Sequence, residues 1–256
     1  MNVVAKRGIN SGISAEERKA RVELAALYRI LAYLKWDELI YTHTSLRVPG
    51  TENQFLINPY GLRFDEITAS SLVKIDINGN VIDANGYEAN FAGFVIHGAI
   101  HMNANGAHCV LHTHTTAGMA VAALEEGLLP ASMYSHYFYN RIGYHEFEGP
   151  SMDTDERTRI VASIGNHKAL IMRNHGLITL GETVAEAFVR MFRLERACQV
   201  QLAAQGQKLK YPSPEVCEQS ALLTEKFLSH GGQDLGRLEF DAMVRLIEKI
   251  DPSYKN

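Results

Sequence analysis

The sequence predicts an α/β protein in which a mainly antiparallel central sheet lies between two layers of helices. β-like runs separated by Pro-Gly, Asn-Pro-Tyr-Gly and Asn-Gly-Asn turns fill residues 40–82, and two more strand-like runs lie between 168 and 180. Helical periodicity flanks both regions without strict strand–helix alternation, which favours a layered α/β/α domain. The 256 residues, 46% of them hydrophobic, suffice for one large core. We expect a single domain over 1–256, with a flexible tail at 1–13 and a helical extension at 212–256.

The elements follow from caps, turns and apolar spacing. Ser14 and Glu17 form a capping-box pattern ahead of a broad apolar helical face, and Thr183 and Glu186 repeat the pattern ahead of a helix to about Ala204. The other predicted helices are 91–102, 116–124, 153–165, 215–229 and 234–249, and the predicted strands are 45–48, 54–57, 73–77, 109–111, 168–173 and 177–180. Residues 131–149 are rich in aromatic side chains but have no clear period.

Composition excludes several classes of partner. The formal net charge is −4 and no Lys/Arg cluster occurs, so we expect binding neither to nucleic acid nor to an anionic membrane. The three cysteines are far apart and form no CxxC, which indicates reduced thiols. The first residues lack a signal-peptide pattern, and no apolar run approaches the ~18 residues of a membrane span. We therefore expect a cytoplasmic protein that acts on a small molecule.

The histidines give the strongest functional signal. Nine of the eleven lie between His97 and His175, and His112 and His114 are spaced i, i+2 at the end of a short buried strand. Side chains with that spacing point to the same face of a strand. Paired imidazoles on a rigid element suit a metal that prefers nitrogen ligands, although strand histidines without a metal are the ordinary alternative.

Four stretches together resemble the class II aldolase/adducin family. They are GLRFDEITASSLVKID after Pro59, FAGFVIHGAIH, HTHTTAGMAVAAL and NHGLITLGETVAEAF. The resemblance extends from about Ala20 to Ala204, and the motifs are most similar to those of the adducins. It implies a class II aldolase-like fold and, by analogy, a homo-oligomer, most simply a tetramer with sites at subunit interfaces.

The resemblance also implies a metal centre. The family's enzymes use a divalent metal, usually zinc, and by position its ligands here would be His112, His114 and His175. The same three imidazoles would also suit Fe(II), Mn(II) or Co(II), and they leave coordination positions open for substrate. Tyr134 stands where the aldolases place a proton-donating tyrosine that reaches in from a neighbouring subunit.

The departures from the family's enzymes are equally specific. Gly93 stands where the sugar-phosphate aldolases carry a catalytic glutamate, and residues 42–45 and 58–61 differ from the family's phosphate-binding loops. We therefore expect a substrate without a phosphate group. The carboxylates nearest in sequence that could replace the glutamate are Glu88, Glu146 and Glu148, and none is favoured.

Four other histidines are candidates for the substrate pocket or for contacts with the ligands. His97 and His101 share one face of a predicted helix and favour a packing or ligand-orienting role. His43 replaces a small polar residue of the family and is expected to line the pocket, and His136 is the nearest rival to Tyr134 as an acid.

Three functions remain open at this point. The first is a metal-dependent lyase, of aldolase or decarboxylase type, acting on a small carbonyl substrate. The second is a non-catalytic, adducin-like assembly module, favoured by Gly93 and the altered loops. The third is an Fe(II)-dependent oxygenase or decarboxylase built on the same three histidines.

Overall fold

The structure is a computed structural model that describes residues 12–84, 86–89, 91–149, 155–229, 232 and 234–256. Of the predicted tail at 1–13, only residues 12 and 13 fall within these ranges, and the predicted helix at 153–165 is described from 155 onward. Within the described part of the chain, no helix combines the length and the apolar character needed to cross a bilayer.

The described strands form one sheet in which all neighbouring pairs but one are antiparallel. They are β1 (His43–Arg47), β2 (Gln54–Ile57), β3 (Val73–Asp76), β4 (Val81–Asp83), β5 (Cys109–Thr113), β6 (Gly143–His145), β7 (Ala169–Met172) and β8 (Gly176–Gly181), in the spatial order β4-β3-β2-β1-β5-β8-β7-β6. Only β6 and β7 pair in parallel. The predicted mainly antiparallel sheet is confirmed.

Helices cover both faces of the sheet, which confirms the three layers. They are α1 (Ala15–Tyr33), α2 (Phe91–Asn103), α3 (Thr116–Ala122), α4 (Met133–His136), α5 (Glu156–Ile164), α6 (Val184–Ala203), α7 (Pro214–Leu228) and α8 (Arg237–Ile250). Ile96 of α2 and Ile160 of α5 pack with Val110 of β5 on one face. On the other face, α1, α3, α6 and α8 contribute to the larger core around Leu111.

The capping residues set the helix starts. The Ser14 side chain accepts a hydrogen bond from the Glu17 amide, and the Thr183 side chain accepts one from the Glu186 amide. Each cap satisfies an amide that the first helical turn would otherwise leave without a partner. The two long helices α1 and α6 therefore begin at the predicted positions.

Two short elements lie in the stretch that has no periodicity. The single-turn helix α4 is closed by a reciprocal pair of contacts between Ser132 and Ser135. The three-residue strand β6 pairs with β7, and the equally short β4 lies at the opposite edge of the sheet. Elements of three or four residues are too short to show a hydrophobic period.

The three cysteines are unpaired and buried. Burial raises the pKa of the Cys109 and Cys198 thiols. Both side chains therefore behave as small apolar core residues.

The buried Tyr28 hydroxyl fastens α1 to the beginning of β1. It accepts a hydrogen bond from the Thr44 amide at 2.8 Å and lies 2.5 Å from the Thr44 carbonyl oxygen and 3.0 Å from Asn58 Oδ1. Because Thr44 follows His43, this contact also fixes the backbone at His43.

Tyr28→Phe is expected to lower the free energy of unfolding by about 1–3 kcal/mol, because it leaves buried polar groups of Thr44 and Asn58 without a partner. Guanidinium denaturation should show a lower midpoint with an unchanged slope. Tyr33→Phe is the matched control, since Tyr33 lies on the same helix and is 49% exposed. Equal midpoints for the two variants would contradict the role of Tyr28.

Candidate functional site

Strand pairing brings the three predicted ligands together. His112 and Thr113 of β5 pair with Ile178 and Leu177 of β8 in antiparallel register. The end of β5 therefore lies beside the beginning of β8. His114 follows the one strand and His175 immediately precedes the other. Residues about sixty positions apart in sequence thus meet at one end of the sheet.

The three imidazole rings form a compact cluster. Ring centroids are 4.6 Å apart for His112 and His114, 4.9 Å for His112 and His175, and 4.8 Å for His114 and His175. One ring nitrogen from each residue lies within 4.8 Å of the other two. His112 is fully buried, whereas His114 and His175 are partly exposed, so the cluster is open to a small ligand on one side.

The contacts of the Nδ1 atoms of His112 and His114 determine which of their ring nitrogens carry a hydrogen. His112 Nδ1 lies 3.0 Å from the Leu177 carbonyl oxygen, and His114 Nδ1 lies 2.6 Å from Glu38 Oε2. Both oxygens only accept, so each Nδ1 carries the hydrogen and each Nε2 of a neutral ring keeps its lone pair. The two Nε2 atoms lie 2.8 Å apart. Two facing lone pairs repel unless a cation or a proton lies between them. Because a ring nitrogen of His175 also lies within 4.8 Å of both, this donor set fits a divalent metal.

Burial keeps His112 and His175 neutral near pH 7. It lowers the pKa of His112 well below the usual range, and the neighbouring His114 and His175 add to that shift. Burial lowers the pKa of His175 to about 4. Neutral imidazole is the form that binds a metal.

The turn Asn174-His175-Gly176 needs its two flanking residues. Asn174 has φ 55°, in the left-handed region that asparagine tolerates better than most residues. A Cβ on Gly176 would lie 2.4 Å from the Thr113 carbonyl oxygen. Glycine at 176 therefore lets the two strand ends approach closely enough for the rings to meet.

Sequence reasoning missed Glu38, the carboxylate at this site. It lies in the loop after α1, half-exposed, and contacts His114 from 76 positions away. Of the carboxylates considered from the sequence, Glu148 instead pairs with Arg159. No sequence spacing links Glu38 to the histidines, because the loop that contains Glu38 lies beside the site only once the sheet has folded.

His43, His97 and His101 lie directly behind the cluster. His43 pairs across strands with His112, and their ring centroids are 5.1 Å apart. His43 Nδ1 in turn lies 2.9 Å from His97 Nε2. These three histidines are buried, and none belongs to the group whose nitrogens converge.

Tyr134 and His136 lie elsewhere in the single chain, on α4. The Arg193 guanidinium lies 5.1 Å from the centre of the Tyr134 ring, and His136 Nε2 lies 3.3 Å from the Pro130 carbonyl oxygen. Their described contacts do not include the histidine cluster. A catalytic role for either residue stays a prediction, and for Tyr134 it requires a second subunit.

A sizeable surface cavity lies away from the cluster. It measures about 750 Å³ and is lined by residues such as Arg47, Glu52, His108 and Glu182, at the opposite end of β1, β5 and β8. Neither the converging imidazoles nor their partners line it. The chemistry therefore points to the histidine cluster rather than to this cavity.

Comparison with known proteins settles the family. The Class II Aldolase and Adducin N-terminal domain matches residues 22–202. The chain belongs to this family. An aldolase II superfamily protein from Pseudomonas syringae is 42% identical with a TM-score of 0.87, over 95% of this chain and 98% of that one. The L-fuculose 1-phosphate aldolase from Glaciozyma antarctica PI12 is 28% identical with a TM-score of 0.83, over 99% and 98%.

The adducin side of the family is also represented. Rat alpha-adducin is 36% identical over 91% of this chain, which spans 34% of the alpha-adducin sequence. Both the resemblance and the class II aldolase-like fold expected from the sequence are thereby confirmed.

Proposed function

We propose that this protein is a divalent-metal-dependent carbon–carbon lyase, with His112, His114 and His175 as ligands and zinc as the metal. The observation that carries the proposal is the convergence of three ring nitrogens, with the Nε2 atoms of His112 and His114 2.8 Å apart and the imidazole of His175 beside them. Three protein ligands leave room for substrate, as in catalytic rather than structural sites. When bound, such an ion supplies Lewis-acid polarisation of a carbonyl oxygen.

Outer contacts would orient the ligands. Glu38 and the Leu177 carbonyl hold the rings of His114 and His112 through Nδ1–H, which fixes both tautomers and raises the basicity of Nε2. A similar protein, the L-fuculose 1-phosphate aldolase of Glaciozyma antarctica, supports aldol chemistry for this fold.

The substrate is a small hydroxy-carbonyl compound without a phosphate group. Asn58, in one of the two loops that differ from the family's phosphate-binding loops, is fully buried and its Oδ1 lies 3.0 Å from the Tyr28 hydroxyl. The Oδ1 of Asn58 is thus committed to a hydrogen bond in the core instead of to a ligand. We further propose a homo-oligomer in which Tyr134 of a second subunit approaches the cluster, to be tested by light scattering and by the activity of Tyr134→Phe.

The test measures metal content and turnover together. Wild-type protein loaded with zinc should retain about one ion per chain, and His175→Ala should retain almost none. Glu38→Gln should bind zinc about 10- to 100-fold more weakly, because it loses the carboxylate that holds His114. His108→Ala is the control, since His108 is exposed and distant from the cluster. Equal zinc content in wild type and His175→Ala would contradict the metal site.

Turnover distinguishes the lyase from its alternatives. A screen of small hydroxy-aldehydes, hydroxy-ketones and keto acids should yield a cleavage product, and a chelator should abolish it. Activity only with Fe(II) and oxygen would indicate the oxygenase instead.

A non-catalytic assembly module is the second candidate, favoured by the 36% identity to alpha-adducin. It predicts that the wild-type protein turns over no compound in the screen, with or without bound zinc. Chelator-sensitive turnover of any substrate in the screen would contradict it.

A further inference from the structure

A continuous row of buried side chains leads away from the cluster. His43 Nδ1 lies 2.9 Å from His97 Nε2, and His97 Nδ1 lies 2.6 Å from Ser45 Oγ. Ser45 Oγ lies 2.6 Å from His101 Nε2, and His101 Nδ1 lies 2.6 Å from the Ala107 carbonyl oxygen. The four side chains are each at most 6% exposed. We refer to His43, His97, Ser45 and His101 as the histidine chain.

The carbonyl at the far end sets the direction of every hydrogen bond in the histidine chain. A carbonyl oxygen only accepts, so His101 Nδ1 donates and His101 Nε2, in a neutral ring, accepts from the Ser45 hydroxyl. Ser45 Oγ then accepts from His97 Nδ1–H, and His97 Nε2 accepts from His43 Nδ1–H. The rings are neutral, because burial lowers the pKa of His43 and His97 well below the usual range and that of His101 to about 3.

This order leaves His43 with a bare Nε2. These hydrogen bonds thus hold all three histidines of the histidine chain in the Nδ1–H tautomer, which is the minor form of free histidine in water. His43 is the member that borders the cluster, with its ring centroid 5.1 Å from that of His112. His43 Nε2 is therefore a fixed acceptor beside the site.

Gly93 makes the room for this ring. A Cβ at position 93 would lie 2.6 Å from His43 Cγ and 2.7 Å from His43 Cδ2. A side chain at 93 and the observed His43 ring therefore exclude each other. The His43 ring, from β1, therefore fills the space that a side chain at position 93 would need.

We propose that His43 Nε2 accepts a hydrogen bond from a hydroxyl group of the ligand bound at His112, His114 and His175, and that the histidine chain holds it in the accepting tautomer. This inference rests on the proposed function and narrows the substrate class to compounds with a hydroxyl group that can donate at this position. His43 contacts the substrate, whereas His97, Ser45 and His101 are positioning residues.

The first experiment tests the histidine chain without any metal or activity. In the full-length protein with ¹⁵N-labelled histidine, NMR should show His43, His97 and His101 in the Nδ1–H form, assigned with single His→Asn variants. Ser45→Ala removes the acceptor of His97 and should return His43 and His97 to mixed tautomers. Ser163→Ala is the matched control, because Ser163 Oγ contacts the buried His145 instead, at 3.0 Å from its Nδ1. Finding Nε2–H on His43 would overturn the proposal.

The second experiment tests the ligand contact. Calorimetry on zinc-loaded protein compares glycolate with methoxyacetate, which offers the same oxygens but no hydroxyl hydrogen. The ratio of the two affinities should fall about 10-fold in His43→Phe, and partly in Ser45→Ala if His43→Phe fails to fold. An unchanged ratio with normal zinc content overturns the proposal while the metal site stands. Loss of zinc from wild-type protein would instead overturn the proposed function, and with it the ligand assigned to His43.

Discussion

Replacing Gly176 with alanine is expected to cost at least about 3 kcal/mol of stability and to displace the histidine cluster. The added Cβ would lie 2.4 Å from the Thr113 carbonyl oxygen and 3.0 Å from His114 Cδ2. The first of these atoms belongs to the backbone of β5, so no side-chain rotation relieves the collision. The two strand ends must separate, and His112 and His114 move with β5.

Chemical denaturation and zinc titration of the variant measure the two effects separately. Gly206→Ala is the control: it introduces strain at a positive φ of 80°, but the added Cβ meets nothing within 4 Å. We expect the control to lose about 1 kcal/mol and to bind zinc normally. Wild-type zinc affinity in Gly176→Ala would show that close approach of the strand ends is not what assembles the site.

Acid is expected to unfold the protein through its buried histidines. The folded-state pKa of His101 is about 3, and burial lowers that of His97 well below the unfolded value of about 6.5. The unfolded chain therefore binds more protons below pH 6.5 than the folded one does. Stability is fully present above that pH, falls as the pH drops toward 3, and is nearly flat below it as far as His101 is concerned.

The slope of the free energy of unfolding against pH indicates how many histidines are involved. Each contributes about 1.4 kcal/mol per pH unit inside its window, so His97 and His101 alone should give close to 3 kcal/mol per unit near pH 5. His43, His112 and His175, whose pKa values burial also lowers, add to this slope. Denaturation midpoints measured from pH 7 to pH 4 on zinc-free protein provide the slope. A slope below that of one histidine would refute the account.

Interactions between residues that are close in sequence determine most of the helices and strands of this protein. Ser14 and Thr183 cap α1 and α6 where the sequence indicates, because a cap depends only on residues three positions apart. The i, i+2 spacing of His112 and His114 likewise places both rings on one face of β5, and the family resemblance supplied His175.

What the sequence could not predict depends on contacts between distant segments. Glu38 meets His114 across 76 positions, and Ser45 meets His97 and His101 across 52 and 56. The close approach of the His43 ring to Gly93 depends on how α2 lies against β1, which no periodic pattern encodes. The sequence therefore singled out these histidines, and the packing of α2 on the sheet determines which contacts several of them make.

Because Cys109 is buried in β5, the reactivity of its thiol can be used to measure how often this strand opens. Cys109 begins β5, three residues before His112, and is fully enclosed with a raised thiol pKa. An alkylating reagent can reach this sulfur only when β5 opens, so its labelling rate reports the opening free energy of that strand. A metal or substrate that clamps the end of β5 should slow this labelling, which gives an occupancy assay that requires neither a chromophore nor knowledge of the reaction.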